Sequence, residues 1–161
     1  IAGGADVTLI PEVPIDLDEV CSVVEKRRKR GKLFSIVVVA EGAQFKDKGM
    51  ILQEQELDAF GHVRLGGIGE ALAAEIEKRT GHETRVTVLG HIQRGGTPTA
   101  FDRVLGTRLG VKAIELVKNK KFGRMVALQG IKIVDVPLKD AVKELKTVDM
   151  ELYEVARVFS G

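Results

Sequence analysis

The amino-acid sequence predicts an α/β protein built on parallel sheets with flanking helices. Residues 33–40 (LFSIVVVA) form a nearly unbroken apolar run, which is typical of a central parallel strand buried on both faces. Helical periods alternate with β-branched runs along the chain, as expected for strand–helix–strand units. Residues 85–103 join a strand pattern, a glycine-rich loop and a helix start in one stretch.

The composition indicates a folded domain, with 161 residues of which 44% are hydrophobic and 30% charged. A net charge of +2 gives no reason to expect nucleic acid as a partner. Cys21 is the one cysteine, which excludes an internal disulfide, and its helical context predicts a buried thiol. The sequence shows no secretory signal and no apolar run of about 18 residues, so no membrane is expected and the cytoplasm is the default location.

The first elements are a short buried strand over residues 6–10 and a helix. Asp16 and Glu19 have the spacing of a capping box at the helix start, and Gly31 is the predicted C-cap glycine. The helix ends in the basic run 26–30, which could bind nucleic acid or complement the helix dipole. The second reading is favoured because aromatic residues, which single-stranded nucleic acid would need for stacking, make up only 4% of the chain.

Glu41 follows the predicted strand 33–40 directly. Ligands bind outside the carboxyl ends of the strands in open α/β sheets, and a carboxylate at that edge can accept hydrogen bonds from sugar hydroxyls. The alternative is a turn residue in solvent, and the residues alone leave both interpretations open.

The middle of the chain is less regular, with a short helix suggested at 54–60 inside the irregular stretch 44–65. A helix then begins near Gly66. Its apolar positions share one face: Ile68, Leu72 and Ile76. His62 and His82 lie in polar loop contexts and are expected to be exposed.

Residues 85–103 read RVTVLGHIQRGGTPTAFDR. The pattern predicts a strand over 86–89, a glycine-rich loop, and a helix with Thr97 as its N-cap. The loop places His91 and Arg94 beside a helix start, where unpaired N–H groups favour an anion. Arginine can bind phosphate with two parallel hydrogen bonds, and histidine can add a donor. One interpretation is a phosphate site; the other is an ordinary turn with a solvated arginine and a core histidine.

The remaining pattern predicts a long helix from Pro98, a hairpin of strands 124–129 and 131–136, a helix after Pro137 and a last helix from Asp149. The expected apolar positions are Phe101, Val104, Leu105, Leu109, Ala113, Leu116 and Val117 in the long helix, and Leu152 and Val155 in the last.

Four residues separate Arg85 from the segment 90–96 (GHIQRGG). Five residues then separate that segment from Asp102 and Arg103. This ordered pattern resembles the signature of the 6-phosphofructokinases, the bacterial-type enzymes that use ATP or pyrophosphate. The segment 37–42 (VVVAEG) agrees with it. The resemblance extends over the whole chain but corresponds only to the C-terminal portion of such an enzyme. Because the chain also lacks an initial methionine, we expect an incomplete fragment of a longer polypeptide.

The resemblance implies phosphofructokinase-type parallel sheets divided among three segments. Residues 1–93 would belong to the sugar-phosphate and effector domain, and residues 94–140 to the phosphoryl-donor domain. Residues 141–161 would be C-terminal helices that return to the first domain.

The resemblance also implies phosphoryl transfer from ATP or pyrophosphate, with Mg²⁺, to the 1-hydroxyl of fructose 6-phosphate in glycolysis. No catalytic or metal-binding residue is expected here, because the base and the donor site belong to the missing half. Glu41, His91 and Arg94 would bind substrate in their own subunit, while Arg85 would reach the 6-phosphate in a neighbour's site. We therefore expect a homo-oligomer of the tetramer type, and no activity in the isolated fragment.

Bacterial phosphofructokinases hold a nucleotide diphosphate effector between subunits. By this resemblance, the positions that hold it correspond to Asp6, Arg30 and Lys32. The carboxylate would face the effector's Mg²⁺ and the cations its phosphates. Phe34 departs from the pattern, because some members carry a polar or basic residue there. The alternative functions are a non-catalytic sugar-phosphate or nucleotide-effector module, and a nucleic-acid module on the basic run.

Overall fold

The computed structural model describes residues 1–47 and 67–159, and the chain divides into two compact units. The first unit comprises Ile1–Leu89 and Thr147–Gly161, and the second comprises Gly90–Lys146. The units change at residues 89/90 and 146/147, whereas the predicted segments change at 93/94 and 140/141. The functional role of each unit stays a prediction.

Strands and helices alternate in the first unit, and a helix and a hairpin dominate the second. In chain order the elements are β1 (Val7–Leu9), α1 (Leu17–Lys29), β2 (Val37–Val39), α2 (Gly67–Thr80), a 3₁₀ turn (Gly90–Arg94), α3 (Ala100–Lys118), β3 (Arg124–Gln129), β4 (Lys132–Pro137), α4 (Leu138–Ala141) and α5 (Met150–Val158). β1 and β2 pair in parallel, and β3 and β4 pair antiparallel. The suggested helix at 54–60 and His62 lie outside the described residues.

The core of the first unit lies where α1 and α2 pack together with the sheet. Its members are Val7, Leu9, Ile15, Leu17, Val20, Cys21, Ala43, Ile68, Leu72 and Ile76. The predicted face of α2 is therefore confirmed. Cys21 is buried as predicted, and burial raises the pKa of its thiol. On α5 the buried side chain is Tyr153, whereas the predicted Leu152 and Val155 remain largely exposed.

Helix α1 begins at the predicted cap. The Asp16 carboxylate accepts the backbone N–H groups of Asp18 at 3.1 Å and Glu19 at 3.3 Å. The Glu19 N–H and the Lys46 ammonium lower the pKa of Asp16. The reciprocal half of the capping box is replaced, because the Glu19 carboxylate accepts from Arg157 Nη2 of α5 at 2.9 Å.

Two predicted strands differ from the structure. Residues 33–40 form only the three-residue β2, and Leu33 is 99% exposed. The predicted strand 86–89 has no regular structure and pairs with none of the described strands. A β-branched run becomes a strand only where a neighbour supplies a hydrogen-bonding ladder, and β1 supplies one over three residues.

In the second unit, α3 packs against the predicted hairpin, and Arg108 of α3 donates to the Ile131 carbonyl oxygen at 2.7 Å. Leu116 is the one buried side chain of α3. The predicted apolar face of α3 was too wide, because Phe101 and Val104 are 65% and 58% exposed.

Candidate functional site

Glu41 lies just beyond the carboxyl end of β2. The Ala40 N–H donates to the Leu9 carbonyl oxygen at 2.9 Å, so the parallel pairing continues up to the residue before Glu41. The Ala43 N–H then donates back to the Ala40 carbonyl oxygen at 2.9 Å, which closes a turn that leaves Glu41 exposed. A carboxylate in this position can accept hydrogen bonds from a ligand above the sheet edge.

His91 and Arg94 lie together in the 3₁₀ turn Gly90–Arg94. Side chains three residues apart in a 3₁₀ helix are eclipsed, so both project from the same side of the turn. Both residues are exposed, and neither side chain forms a hydrogen bond or ion pair with another residue in the described part of the chain. The turn thus presents an imidazole and a guanidinium side by side, a combination suited to a phosphate group.

Glycines shape the backbone on both sides of this turn. Gly90 and Gly96 have φ values of +46° and +95°, which residues with a Cβ rarely adopt. At Gly95 the N–H donates to the Ile92 carbonyl oxygen at 3.0 Å, and a Cβ would lie 3.1 Å from that oxygen. The backbone geometry of this turn therefore favours glycine at positions 90, 95 and 96.

The start of α3 differs from the prediction, because the N-cap is Thr99 and not Thr97. The Asp102 N–H donates to Thr99 Oγ1 at 3.3 Å, and the Asp102 carboxylate accepts from the Thr99 N–H at 2.8 Å and hydroxyl at 2.6 Å. These donors lower the pKa of Asp102. The helix start already holds a carboxylate, so it is a poor anion site, and the preceding turn is the remaining candidate.

Arg85 belongs to the first unit and is exposed. Its Nη2 lies 2.9 Å from Glu83 Oε1, and the two side chains are 86% and 72% exposed. An ion pair so open to water contributes little, so a phosphate could displace Glu83 from Arg85.

Asp6, predicted to meet an effector, is already engaged. Its Oδ1 lies 2.9 Å from Arg27 Nη2, its Oδ2 accepts the Ile36 N–H at 2.7 Å, and the residue is 8% exposed. Arg30 and Lys32 lie at the exposed end of α1. The effector role of these residues stays a prediction, and Asp6 would have to leave Arg27 to bind a metal ion.

The basic run at the end of α1 is partly used within the first unit. Besides holding Asp6, Arg27 donates to Ser35 Oγ at 3.2 Å. Arg28 contacts the imidazole of His82, which is half-buried and not exposed as predicted. The sequence contained no signal for these two contacts, but the Thr-x-x-Asp spacing of 99–102 could have identified the α3 cap.

No group of three or more side chains suited to a metal ion converges within residues 1–47 and 67–159. The Mg²⁺ that the resemblance implies therefore finds no ligand set there, and none of the described residues is assigned to it. No helix in the same part of the chain is long and apolar enough to cross a membrane.

The parallel strand–helix–strand arrangement, with exposed polar residues beyond its strands, defines a member of the α/β class. Crystal structures of pyrophosphate-dependent phosphofructokinases from Marinobacter aquaeolei and Nitrosospira multiformis share this fold. Their TM-scores are 0.62 and 0.65 at 20% and 18% identity, and each match includes 89% of this chain and 34% of the other. These likenesses confirm the predicted fold class.

The phosphofructokinase family model matches residues 1–117, and the chain belongs to that family. Over the whole chain it is 56% identical to a pyrophosphate–fructose 6-phosphate 1-phosphotransferase of Streptomyces coelicolor. It is 50% identical to an ATP-dependent 6-phosphofructokinase of Corynebacterium efficiens. The matches include 47% and 46% of those proteins, so the chain spans about half their length. That this half is the C-terminal one stays a prediction.

Proposed function

We propose that this chain is the substrate-recognition portion of a 6-phosphofructokinase. The complete enzyme would transfer a phosphoryl group from ATP or pyrophosphate to the 1-hydroxyl of fructose 6-phosphate in glycolysis. The observation that carries the proposal is the exposed turn Gly90–Arg94, which presents His91 and Arg94 together inside the family match. Relatives of both donor types match the whole chain, so the donor is left to residues outside it.

Each proposed residue has a role that its chemistry supports. The Arg94 guanidinium can donate two parallel hydrogen bonds to a phosphate, and His91 can donate one from a ring nitrogen. Glu41 can accept hydrogen bonds from sugar hydroxyls at the sheet edge. These groups bind and orient the sugar phosphate, while the base and the Mg²⁺-bound donor belong to the rest of the enzyme.

Arg85 is proposed to serve a neighbouring subunit in a homo-oligomer. Its exposed pair with Glu83 leaves the guanidinium able to turn toward an external phosphate. Asp6, Arg30 and Lys32 are proposed for a nucleotide effector. For the complete enzyme we propose a cytoplasmic location.

Calorimetric titration of the 161-residue chain with fructose 6-phosphate tests the proposed binding. We expect binding of fructose 6-phosphate but not of fructose, because the phosphate supplies the charge that Arg94 recognises. Arg94→Ala should weaken binding by roughly ten- to a hundredfold, as expected when a charged hydrogen-bonding group worth about 1.5–3 kcal/mol is removed.

Lys143→Ala is the matched control, since it removes one positive charge from an exposed position of the same unit outside the turn. Its affinity for fructose 6-phosphate should be unchanged. Equal weakening by both substitutions, or equal binding of fructose and its phosphate, would contradict recognition by the turn.

A further inference from the structure

Charge is distributed unevenly along the chain. The second unit carries twelve lysines and arginines against five aspartates and glutamates, whereas the rest of the chain carries thirteen against eighteen. Three of those five carboxylates are already engaged, because Asp102 caps α3, Asp135 pairs with an arginine and Glu115 with a lysine. The second unit therefore has a positive charge that its own side chains do not neutralise.

Several lysines of this unit gather where α3 ends and α4 begins. The Leu138 N–H donates to the Gly123 carbonyl oxygen at 2.9 Å, which holds the start of α4 beside the loop that follows α3. Residues 118–122 and 138–143 contain five lysines and one carboxylate, and we call them the lysine surface. Four of its side chains form no hydrogen bond or ion pair with another described residue: Lys118, Lys120, Lys139 and Lys143.

Lys120 has a backbone conformation that lysine rarely adopts. Its φ is +55°, and it is the one residue other than glycine with a positive φ in the described part of the chain. Its N–H donates to the Val117 carbonyl oxygen at 2.9 Å, and the next N–H donates to that of Leu116 at 2.9 Å. Glycine is the usual residue at such a helix end. A side chain held there at an energetic cost is a common mark of a functional position.

Exposed apolar side chains lie among these lysines. Phe122 and Val142 are 70% and 78% exposed. The Val142 N–H donates to the Leu138 carbonyl oxygen at 3.2 Å, so these two apolar residues are one helical turn apart. Ala141 is half-buried, whereas Leu138 is exposed, so the apolar pair lies on the outward side of α4. The lysine surface thus combines positive charge with apolar groups that face water.

This combination fits an anionic membrane better than a discrete ligand. The cations of the surface are all lysines, which act as mobile point charges, whereas arginine is the residue that binds a phosphate or carboxylate in a fixed geometry. Lysines beside aromatic and aliphatic side chains are typical of proteins that lie on an anionic membrane. Single-stranded nucleic acid would need several aromatic side chains for stacking, and Phe122 is the one aromatic residue of this surface.

We propose that the lysine surface docks this chain onto a membrane that contains anionic phospholipids. The lysines are attracted to the headgroup phosphates, and Phe122 with Val142 enters the boundary between headgroups and acyl chains. The contact is peripheral and needs neither a signal segment nor a membrane-spanning helix. It uses none of the residues proposed to bind the sugar phosphate, so it does not depend on the proposed function.

A tryptophan at position 122 tests the docking, because the chain contains no other tryptophan. In the full chain carrying Phe122→Trp, phosphatidylcholine vesicles with about one third phosphatidylglycerol should shift the emission to shorter wavelength, since the ring enters the interface. Vesicles of phosphatidylcholine alone should not. The matched control is Phe34→Trp, because Phe34 is 71% exposed and follows the basic run of α1. Its emission should stay unchanged, and equal shifts at both positions would overturn the assignment to the lysine surface.

Co-sedimentation with the same vesicles tests the lysines. Lys139→Gln combined with Lys143→Gln should lower the partition coefficient by roughly tenfold or more, because each lysine near an anionic surface adds to the attraction. Lys26→Gln combined with Lys29→Gln removes the same charge from exposed positions of α1 and should leave the coefficient unchanged. All four lysines are exposed, so the fold should persist, which far-ultraviolet circular dichroism checks.

Three results would contradict the proposal. Equal loss of binding in the two double variants would show that net charge alone drives the association. Absence of binding to the phosphatidylglycerol vesicles would exclude the membrane. Binding of a polyglutamate peptide without binding of the vesicles would make an acidic protein segment the partner instead.

Discussion

At the scale of single residues, Asp6 shows how the first unit holds together. Both of its oxygens are used, one by Arg27 of α1 and one by the Ile36 N–H just before β2. The Asp6 N–H also donates to the Ile36 carbonyl oxygen at 2.8 Å. One carboxylate therefore ties the start of the sheet to the end of the first helix.

Asp6→Ala should lower the free energy of unfolding by about 2–4 kcal/mol, because Arg27 would be left largely buried without its partner. Urea unfolding of the two proteins gives this difference. Glu83→Ala is the control, since it removes a carboxylate from an exposed pair and should cost less than about 1 kcal/mol. Equal losses of unfolding free energy in the two variants would show that the Asp6–Arg27 pair stabilises the protein no more than the exposed Arg85–Glu83 pair does.

The sequence predicted the residues whose roles are local. Gly31 ends α1 with φ of +79°, and Cys21 is buried within a helical period. The partner of Asp6 could not be predicted, because the choice of Arg27 over its basic neighbours depends on how α1 packs on the sheet.

At the scale of elements, α3 begins with a reciprocal cap. The Thr99 hydroxyl and the Asp102 carboxylate satisfy each other's backbone N–H groups. The Thr99 hydroxyl, and after it the Thr99 N–H, hold the pKa of Asp102 below its ordinary value. Because the folded-state pKa is the lower one, this stabilisation is complete above the ordinary aspartate pKa of about 4 and is lost as the pH falls through the folded-state value.

Thr99→Ala should therefore raise the pKa of the Asp102 carboxyl toward its ordinary value, which an NMR titration of the side-chain carbon measures directly. The helix should also lose about 1 kcal/mol of stability with its cap. Thr107→Ala removes a threonine hydroxyl that donates to the Arg103 carbonyl oxygen at 2.9 Å on the same helix. If Thr107→Ala raised the pKa of Asp102 as much as Thr99→Ala does, the Thr99 cap would not be the cause of the lowered pKa.

Strands were the least predictable elements. The hairpin β3–β4 was predicted well, because its two strands are joined by a turn at Gly130, whose φ is +59°, and pair with each other. Residues 33–40 and 86–89 have equally strong β patterns, yet their pairing depends on strands far away in the chain. The sequence thus identified the turn with His91 and Arg94, but not the backbone that leads into it.

At the scale of the whole molecule, the chain spans about half the length of the curated relatives it matches. The first unit is interrupted after Leu89, inside the signature stretch, where the turn Gly90–Arg94 begins. Under the proposed function, the catalytic base and the donor site belong to the part of the relatives that this chain does not match.

The most direct measurement is turnover in a chimaera, in which this chain replaces the portion it matches in the Streptomyces coelicolor relative. We predict that the chimaera phosphorylates fructose 6-phosphate with pyrophosphate, the donor in that relative's name, and that the isolated chain does not. Arg94→Ala in the chimaera should raise the KM for fructose 6-phosphate, whereas Lys143→Ala should not. A folded chimaera without turnover, or turnover by the isolated chain, would contradict the assignment of substrate recognition to this half.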